Sequence, residues 1–154
     1  MSLKLYSVSD GPPSLAVRQG LKALGVDYTL INVDFGLGEH MTDEYAKMNP
    51  QKEIPVLDDD GFMLSESNAI LQYLADKYGK DDKLYPKDPK ARAVVNQRLC
   101  FNMSTYYRSI SEHVVSSLIS LPGRSMDVLT SELRSIYDRI QTPLHRNVNI
   151  GERT

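Results

Sequence analysis

Several short stretches hold residues whose types and spacing could do chemistry. Ser65-Glu66-Ser67 stands immediately before an apolar-periodic run, so Glu66 and Ser67 fall at a helix N-terminus. Unpaired N–H groups at such an end attract a carboxylate, and the Ser67 hydroxyl adds a donor. The competing role is structural: Ser65 and Glu66 would only cap and charge the first turn. Pro55, in Ile54-Pro55-Val56-Leu57, taken alone reads as a strand-edge proline. Ser9 and Ser14 flank Gly11-Pro12-Pro13, a turn running into a helix start. Lys52 is a cation and His40 an imidazole, both in loop surroundings, and a lone loop histidine is ordinarily just solvated. His40, His113 and His145 have no metal-ligand spacing, so no metal site is expected. Cys100 is the single cysteine, which excludes a disulfide framework and any Cys-x-x-Cys redox or zinc motif. With no identifiable partner, it reads as a small buried residue.

The elements that must position these residues are legible in the pattern. Leu3 to Val8 alternates as a strand, and Leu15, Val17, Leu21 and Leu24 follow at roughly helical spacing up to Gly25. Tyr28 to Val33 is a second strand, so the chain opens β-α-β, which favours a parallel pair with a right-handed crossover. A loop with Gly36, Gly38 and His40 precedes a short helix over 42–48. Ile54 to Leu57 and Phe62 to Leu64 flank Asp58-Asp59-Asp60-Gly61, an antiparallel hairpin signal. Ala69, Ile70, Tyr73, Leu74 and Tyr78 give the next helix one apolar face, ended by Gly79. The order predicts a mixed four-stranded sheet covered by helices.

Composition narrows the class further. Of 154 residues, 18 are Lys or Arg and 20 are Asp or Glu, a net charge of −2 with 41% apolar residues, as in folded soluble proteins. No apolar run reaches the roughly 18 residues of a membrane span. The first residues lack the basic start and apolar core of a signal peptide, so a reduced, cytoplasmic setting is expected. Residues 1–85 carry 14 acids and 8 bases, and residues 86–154 carry 6 acids and 10 bases. The change falls in the polar, proline-bearing stretch Lys80 to Pro89, a boundary composition. The basic excess beyond it is dispersed, with no basic run, so no nucleic-acid surface is expected.

Two motifs in order carry a family resemblance. Asn49-Pro50-Gln51-Lys52-Glu53-Ile54-Pro55-Val56-Leu57, then Ser65-Glu66-Ser67-Asn68-Ala69-Ile70, closely resemble the N-terminal domain of cytosolic glutathione S-transferases. Tyr78 to Lys87 resembles the linker of the insect delta and epsilon classes or an unclassified relative. The match runs from about Leu3 to about Val115. The resemblance implies a thioredoxin-like α/β domain (β-α-β-α-β-β-α) over 1–80. It further implies a linker over 81–89 and a truncated all-helical part over 90–154. Glutathione would be the co-substrate and a small hydrophobic electrophile its acceptor, in a detoxifying conjugation by a homodimer. In the family the proline matching Pro55 is cis, and the residue before it, here Ile54, offers backbone N–H and C=O to the cysteinyl unit. Glu66 would pair with the γ-glutamyl ammonium, and the Ser67 end of the helix would take its carboxylate. Asn68 stands where the delta class has arginine, and could still meet the ligand or a partner subunit. His40 and Lys52 match positions that meet the glycine carboxylate, and most delta and epsilon members have histidine where this chain has Lys52.

The resemblance breaks at the catalytic position. Delta and epsilon members carry a serine after strand one, whose hydroxyl donates to the glutathione thiolate. Gly11 stands there. Ser9 is the preferred substitute, ahead of Ser14, which the first helical turn could bury, and of the more distant Tyr6. Backbone N–H groups or water are the alternative. A low-activity or purely binding protein, or an inactive truncated isoform, therefore rivals the active transferase. Beyond the linker, Asp88-Pro89 starts a helix striped by Leu99, Met103, Tyr106, Tyr107, Ile110 and Val114. Such a stripe is ordinarily packing. By resemblance, Tyr106 or Tyr107 could wall the electrophile pocket together with Pro13. The resemblance stops after about Val115, and an amphipathic run from Met126 to Ile140 reads as one further helix.

Overall fold

The computed structural model describes residues 2–9 and 11–112. The expected helix over Met126–Ile140 and Val114 lie outside them. The chain divides into two compact units that change over between Ala93 and Val94. The expected linker, 81–89, is exposed apart from Tyr85 and Pro86. It is tied to the first unit by Arg92, whose guanidinium donates to the Pro86 carbonyl (2.6 Å) and to Asp76 (2.8 Å) and lies over the Tyr85 ring.

The first unit carries β1 (Leu3–Ser7), α1 (Pro12–Leu24), β2 (Thr29–Asn32), a single 3-10 turn (Glu39–Met41), α2 (Asp43–Met48), β3 (Val56–Asp59), β4 (Phe62–Leu64) and α3 (Ser67–Tyr78). The sheet order is β2-β1-β3-β4. β1 and β2 are parallel, as the β-α-β pattern requires, and β3 runs antiparallel to both β1 and β4. The thioredoxin-like layout read from the motifs is the one observed. The β3–β4 loop is Asp60-Gly61, both with positive φ, the two-residue turn that Asp-Gly favours. Gly25 ends α1 in the left-handed region, where its N–H bonds the Lys22 carbonyl and that of Val26 bonds Leu21.

Period-two alternation sends neighbouring residues of β3 to opposite faces. Leu57 joins Leu3 and Leu5 against Val17 and Leu21 of α1 and Ile70 and Leu74 of α3, all buried. Val56 joins Val33 and Tyr45 of α2 on the other face, with Tyr6, Met48 and Ile54 packed around them. α1 keeps the expected face through Val17, Leu21 and Leu24 and departs from it only at its start, where Ser14 is buried and Leu15 exposed.

The hairpin differs more. Asp58 and Asp59, expected in the turn, are buried strand residues. Asp58 sits opposite Lys4 in the register, takes its ammonium at 3.2 Å, and accepts the Gly61 N–H. Asp59 lies on the α3 face, where one carboxylate oxygen accepts Lys77 Nζ (2.6 Å), Tyr73 OH (2.7 Å) and Tyr78 OH (2.7 Å). Burial alone would raise this carboxyl's pKa, but the Lys77 and tyrosine hydrogen bonds outweigh it and hold it below the usual carboxylate range. Buried acids are stable only when paired in this way.

α4 (Pro89–Phe101) begins on Asp88, whose carboxylate accepts the Ala91 N–H. It passes into a π-helical turn, Asn102–Tyr106, then back to α-helix up to residue 112. The π turn was not expected; along this stretch Met103 and Tyr107 are exposed while Leu99, Tyr106 and Ile110 are half-buried. Cys100 is exposed rather than buried.

Candidate functional site

Three connections of the first unit hold the expected residues: β1–α1, the segment from the 3-10 turn to β3, and β4–α3. Among the described residues, Ile54–Pro55 is the one cis peptide bond, at the entry to β3, with Ile54 half-buried and Pro55 buried. The strand-edge role of Pro55 is therefore incomplete: Val56, not Pro55, opens the strand.

α3 starts without a side-chain cap. Ser65, expected to cap it, is not its N-cap; Glu66 is, with φ +68 and ψ 105, and its carbonyl accepts the Ile70 N–H. Ser67 is the first helical residue and Asn68, one further on, is buried. The Glu66 side chain is exposed beside an uncapped helix N-terminus. That arrangement can serve an ammonium and a carboxylate carried on one carbon, the first through Glu66, the second through the helix end.

Lys52 also has positive φ, +59. Its ammonium donates to the Met41 carbonyl at 2.7 Å, which ties the loop before β3 to the 3-10 turn that bears His40. Two N–H groups of that ammonium remain for another acceptor. His40 stacks on Phe35 with ring centroids 4.4 Å apart, and its Nδ1 is buried without a hydrogen-bond partner among the described residues. Among the described residues three non-glycine residues have positive φ; one lies in the hairpin turn, and the other two are Lys52 and Glu66. Backbone held in this sparsely populated region clusters at functional sites, and nothing in either residue's type announces it.

Gly11 is the N-cap of α1, in extended conformation (φ −69, ψ 122) that any residue adopts. It offers no side-chain cap. The Ser14 hydroxyl is buried, accepts the Val8 N–H at 3.4 Å, and lies 3.7 Å from where a Cβ on Gly11 would stand. Ser9 is exposed, and its carbonyl accepts from Arg18. Tyr6 is half-buried on the Val56 face. Pro13 is the second residue of α1 and half-buried; Tyr106 and Tyr107 belong to the second unit.

Two buried residues that sequence reasoning gave no role stand behind the site. Tyr45 donates to the Glu53 carbonyl at 3.1 Å and Asn49 Nδ2 donates to the same oxygen at 2.9 Å. Asn49 was visible as part of its motif. Tyr45 carried no signal beyond an apolar helix position. Among the described residues no cluster of His, Cys, Asp and Glu could hold a metal ion, and no helix is long and apolar enough to cross a membrane.

The chain is similar to known proteins in sequence and fold. Residues 1–76 match the family model described as glutathione S-transferase, N-terminal domain. Glutathione S-transferase D6 of Drosophila melanogaster is 44% identical over 111 residues, which are 72% of this chain and 52% of that protein. The chain thus spans about half the length of this relative. A diazinon-metabolizing glutathione S-transferase of the silkworm Bombyx mori is 59% identical with a TM-score of 0.79, covering 95% of this chain and 68% of that one. An epsilon-class glutathione S-transferase of the housefly Musca domestica is 34% identical with a TM-score of 0.76, covering 90% and 64%. The chain spans about two thirds of the length of these solved structures. On these similarities, reaching 59% identity over more than two thirds of a relative's length, the chain belongs to the insect glutathione S-transferases, alongside their delta- and epsilon-class members.

Proposed function

We propose that this chain binds reduced glutathione and adds its sulfur to small hydrophobic electrophiles, a detoxifying transfer. One observation carries the binding half: a left-handed Glu66 beside an uncapped helix N-terminus, in the same unit as the Ile54–Pro55 segment. Glu66 and Ser67 take the γ-glutamyl ends, with Asn68 behind them. Ile54, ahead of Pro55, takes the cysteinyl peptide group. His40 and Lys52 take the glycine carboxylate. Binding fixes the tripeptide against the β1–α1 connection, so that its sulfur is presented rather than found by diffusion.

Ser9 is the proposed thiol partner. Its exposure favours it over Ser14, whose hydroxyl is buried. A glutathione-binding module without turnover is the second reading, and glycine at position 11 favours it. A homodimer and a cytoplasmic setting complete the proposal; the single, unpaired Cys100 fits the latter.

Calorimetric titration with glutathione at neutral pH tests the reading. Saturable one-to-one binding is expected, weakened about tenfold by Glu66→Ala and less by Ser67→Ala, the cost of losing one charge-assisted bond. An absence of heat across millimolar glutathione, with the protein folded, refutes it.

A further inference from the structure

The Glu53 carbonyl accepts two hydrogen bonds, from the Tyr45 phenol and from Asn49 Nδ2. Both donors are buried, at 3% and 2% exposure. Tyr45 lies in α2 and Asn49 is that helix's C-cap. The loop is wound on Asn49: its Oδ1 accepts the Gln51 N–H (3.1 Å), its carbonyl accepts the Lys52 N–H (2.9 Å), and its own N–H bonds the Tyr45 carbonyl. With Gln51 N–H on one side and the Glu53 carbonyl on the other, only one orientation of the Asn49 amide satisfies both.

The Glu53 carbonyl and the Ile54 N–H are opposite edges of one planar peptide unit. Two donors converging on the oxygen fix that plane, and the N–H must then point away from them. We propose that Tyr45 is a positioning residue: with Asn49 it clamps the Glu53 carbonyl, and so aims the Ile54 N–H at the central peptide carbonyl of a bound γ-glutamyl tripeptide. This rests on the proposed glutathione site. A phenol is required, since phenylalanine would fill the same space on the Val33–Val56 face without holding the oxygen. Burial, reinforced by the nearby Glu39 and Glu53 charges, pushes the Tyr45 phenol up to about 12, so it remains a donor through the working range. Asn49 alone would leave the plane free to rock about a single bond.

The test uses full-length wild type, Tyr45→Phe, Asn49→Asp and the double variant. Asn49→Asp keeps the acceptor for Gln51 and removes the donor to Glu53. Three quantities are read: glutathione affinity by calorimetry, thermal midpoint without ligand, and the Ile54 amide proton and nitrogen shifts with and without saturating glutathione. In wild type the Ile54 amide moves downfield on binding. Each single variant is expected to weaken binding about three- to tenfold, as for loss of one hydrogen bond. The double variant should weaken it by less than the product of the two, since losing either donor already frees the plane, and the Ile54 displacement should shrink in step. Unchanged affinity in both single variants overturns the inference while leaving the glutathione site standing. So does a fall in affinity and midpoint with the Ile54 displacement at saturation intact, since the residues would then merely support the fold. No binding by folded wild type overturns both. Should Tyr45→Phe fail to fold, Asn49→Asp is read by the same outcomes.

Discussion

On the second reading, a glutathione site without an effective thiol donor, Gly11→Ser should yield a faster enzyme, and the gain should depend on pH in one direction. The position accepts the change. Its φ and ψ are ordinary extended values, so no left-handed strain opposes a side chain. A Cβ there would stand 3.2 Å from Val8 Cγ2, tight enough that this methyl must give by a few tenths of an ångström, and 3.7 Å from Ser14 Oγ. Serine is also at least as good an N-cap as glycine, by a few tenths of a kcal/mol. The two effects oppose, so the thermal midpoint should hold within about 2 °C. The chemical gain comes from a hydroxyl donating to the glutathione sulfur. A thiol titrating near 8.5 is only about 1% ionised at pH 6.5, and a donor that lowers it by about two units makes half of it thiolate. The ceiling on kcat is then about fiftyfold at pH 6.5, reduced by the lower nucleophilicity of a more acidic thiol. Above pH 9 the thiol ionises unaided and the advantage should fall to about twofold or less. The assay is conjugation of glutathione to an aromatic halide at saturating glutathione, from pH 6 to 9.5, for wild type and variant, with affinity measured alongside. A gain of equal size at both ends of the range would refute thiolate stabilisation as the cause. No gain at pH 6.5, with affinity and midpoint unchanged, would refute the idea that position 11 lacks the essential donor.

Two further predictions concern stability. Asp59→Asn leaves Lys77 without its carboxylate, and should cost about 2–3 kcal/mol, below the usual range for a buried pair because the ammonium is partly solvated. Because the folded carboxyl titrates below its unfolded value, wild type keeps this contribution above about pH 4 and loses it as pH falls through the folded value; the variant's acid-unfolding curve should be flatter there. Equal slopes in the two curves would count against it. Gly79→Ala would drive a Cβ into the Ala75 carbonyl oxygen at the end of α3 and bring it to 3.0 Å from that of Asp81. Neither backbone atom can rotate aside, so a loss of about 1–3 kcal/mol in chemical denaturation is expected, and a neutral result would show that the helix end relaxes freely.

Local signals carried most of the fold. The β-α-β opening, the Asp-Gly hairpin and the Gly25 helix stop each depend on a few adjacent residues, and each is present as expected. What failed depends on distant partners. Asp58 and Asp59 looked like turn residues because an acid in a strand interior needs a cation, and the cations stand at Lys4 and Lys77, far away in sequence. The departure at the start of α1, where Ser14 rather than Leu15 is buried, has a similar source: the Ser14 hydroxyl meets the Val8 N–H across the turn, which no periodicity reports. The strained backbone of Lys52 and Glu66 is equally invisible, since neither is glycine or asparagine, the residues that ordinarily announce positive φ. The motif around them was readable; the conformation that gives it use was not.

This asymmetry has a physical basis in what the candidate site is made of. As proposed, its main contacts are peptide groups: the Ile54 N–H, beyond the Glu53 carbonyl that two buried donors hold, and the start of α3, where Glu66 provides no side-chain cap. Such groups belong to the fold, so they persist wherever the sheet, α2 and α3 pack correctly. The thiol partner is different in kind. A hydroxyl donor on the β1–α1 turn has no packing role to hold it, and glycine at position 11 leaves the extended backbone and the α1 start intact. Binding and chemistry are therefore separable in this architecture. A chain can lose the second by a single residue while every structural reason for the first remains, and restoring that residue is a smaller step than building the site that surrounds it.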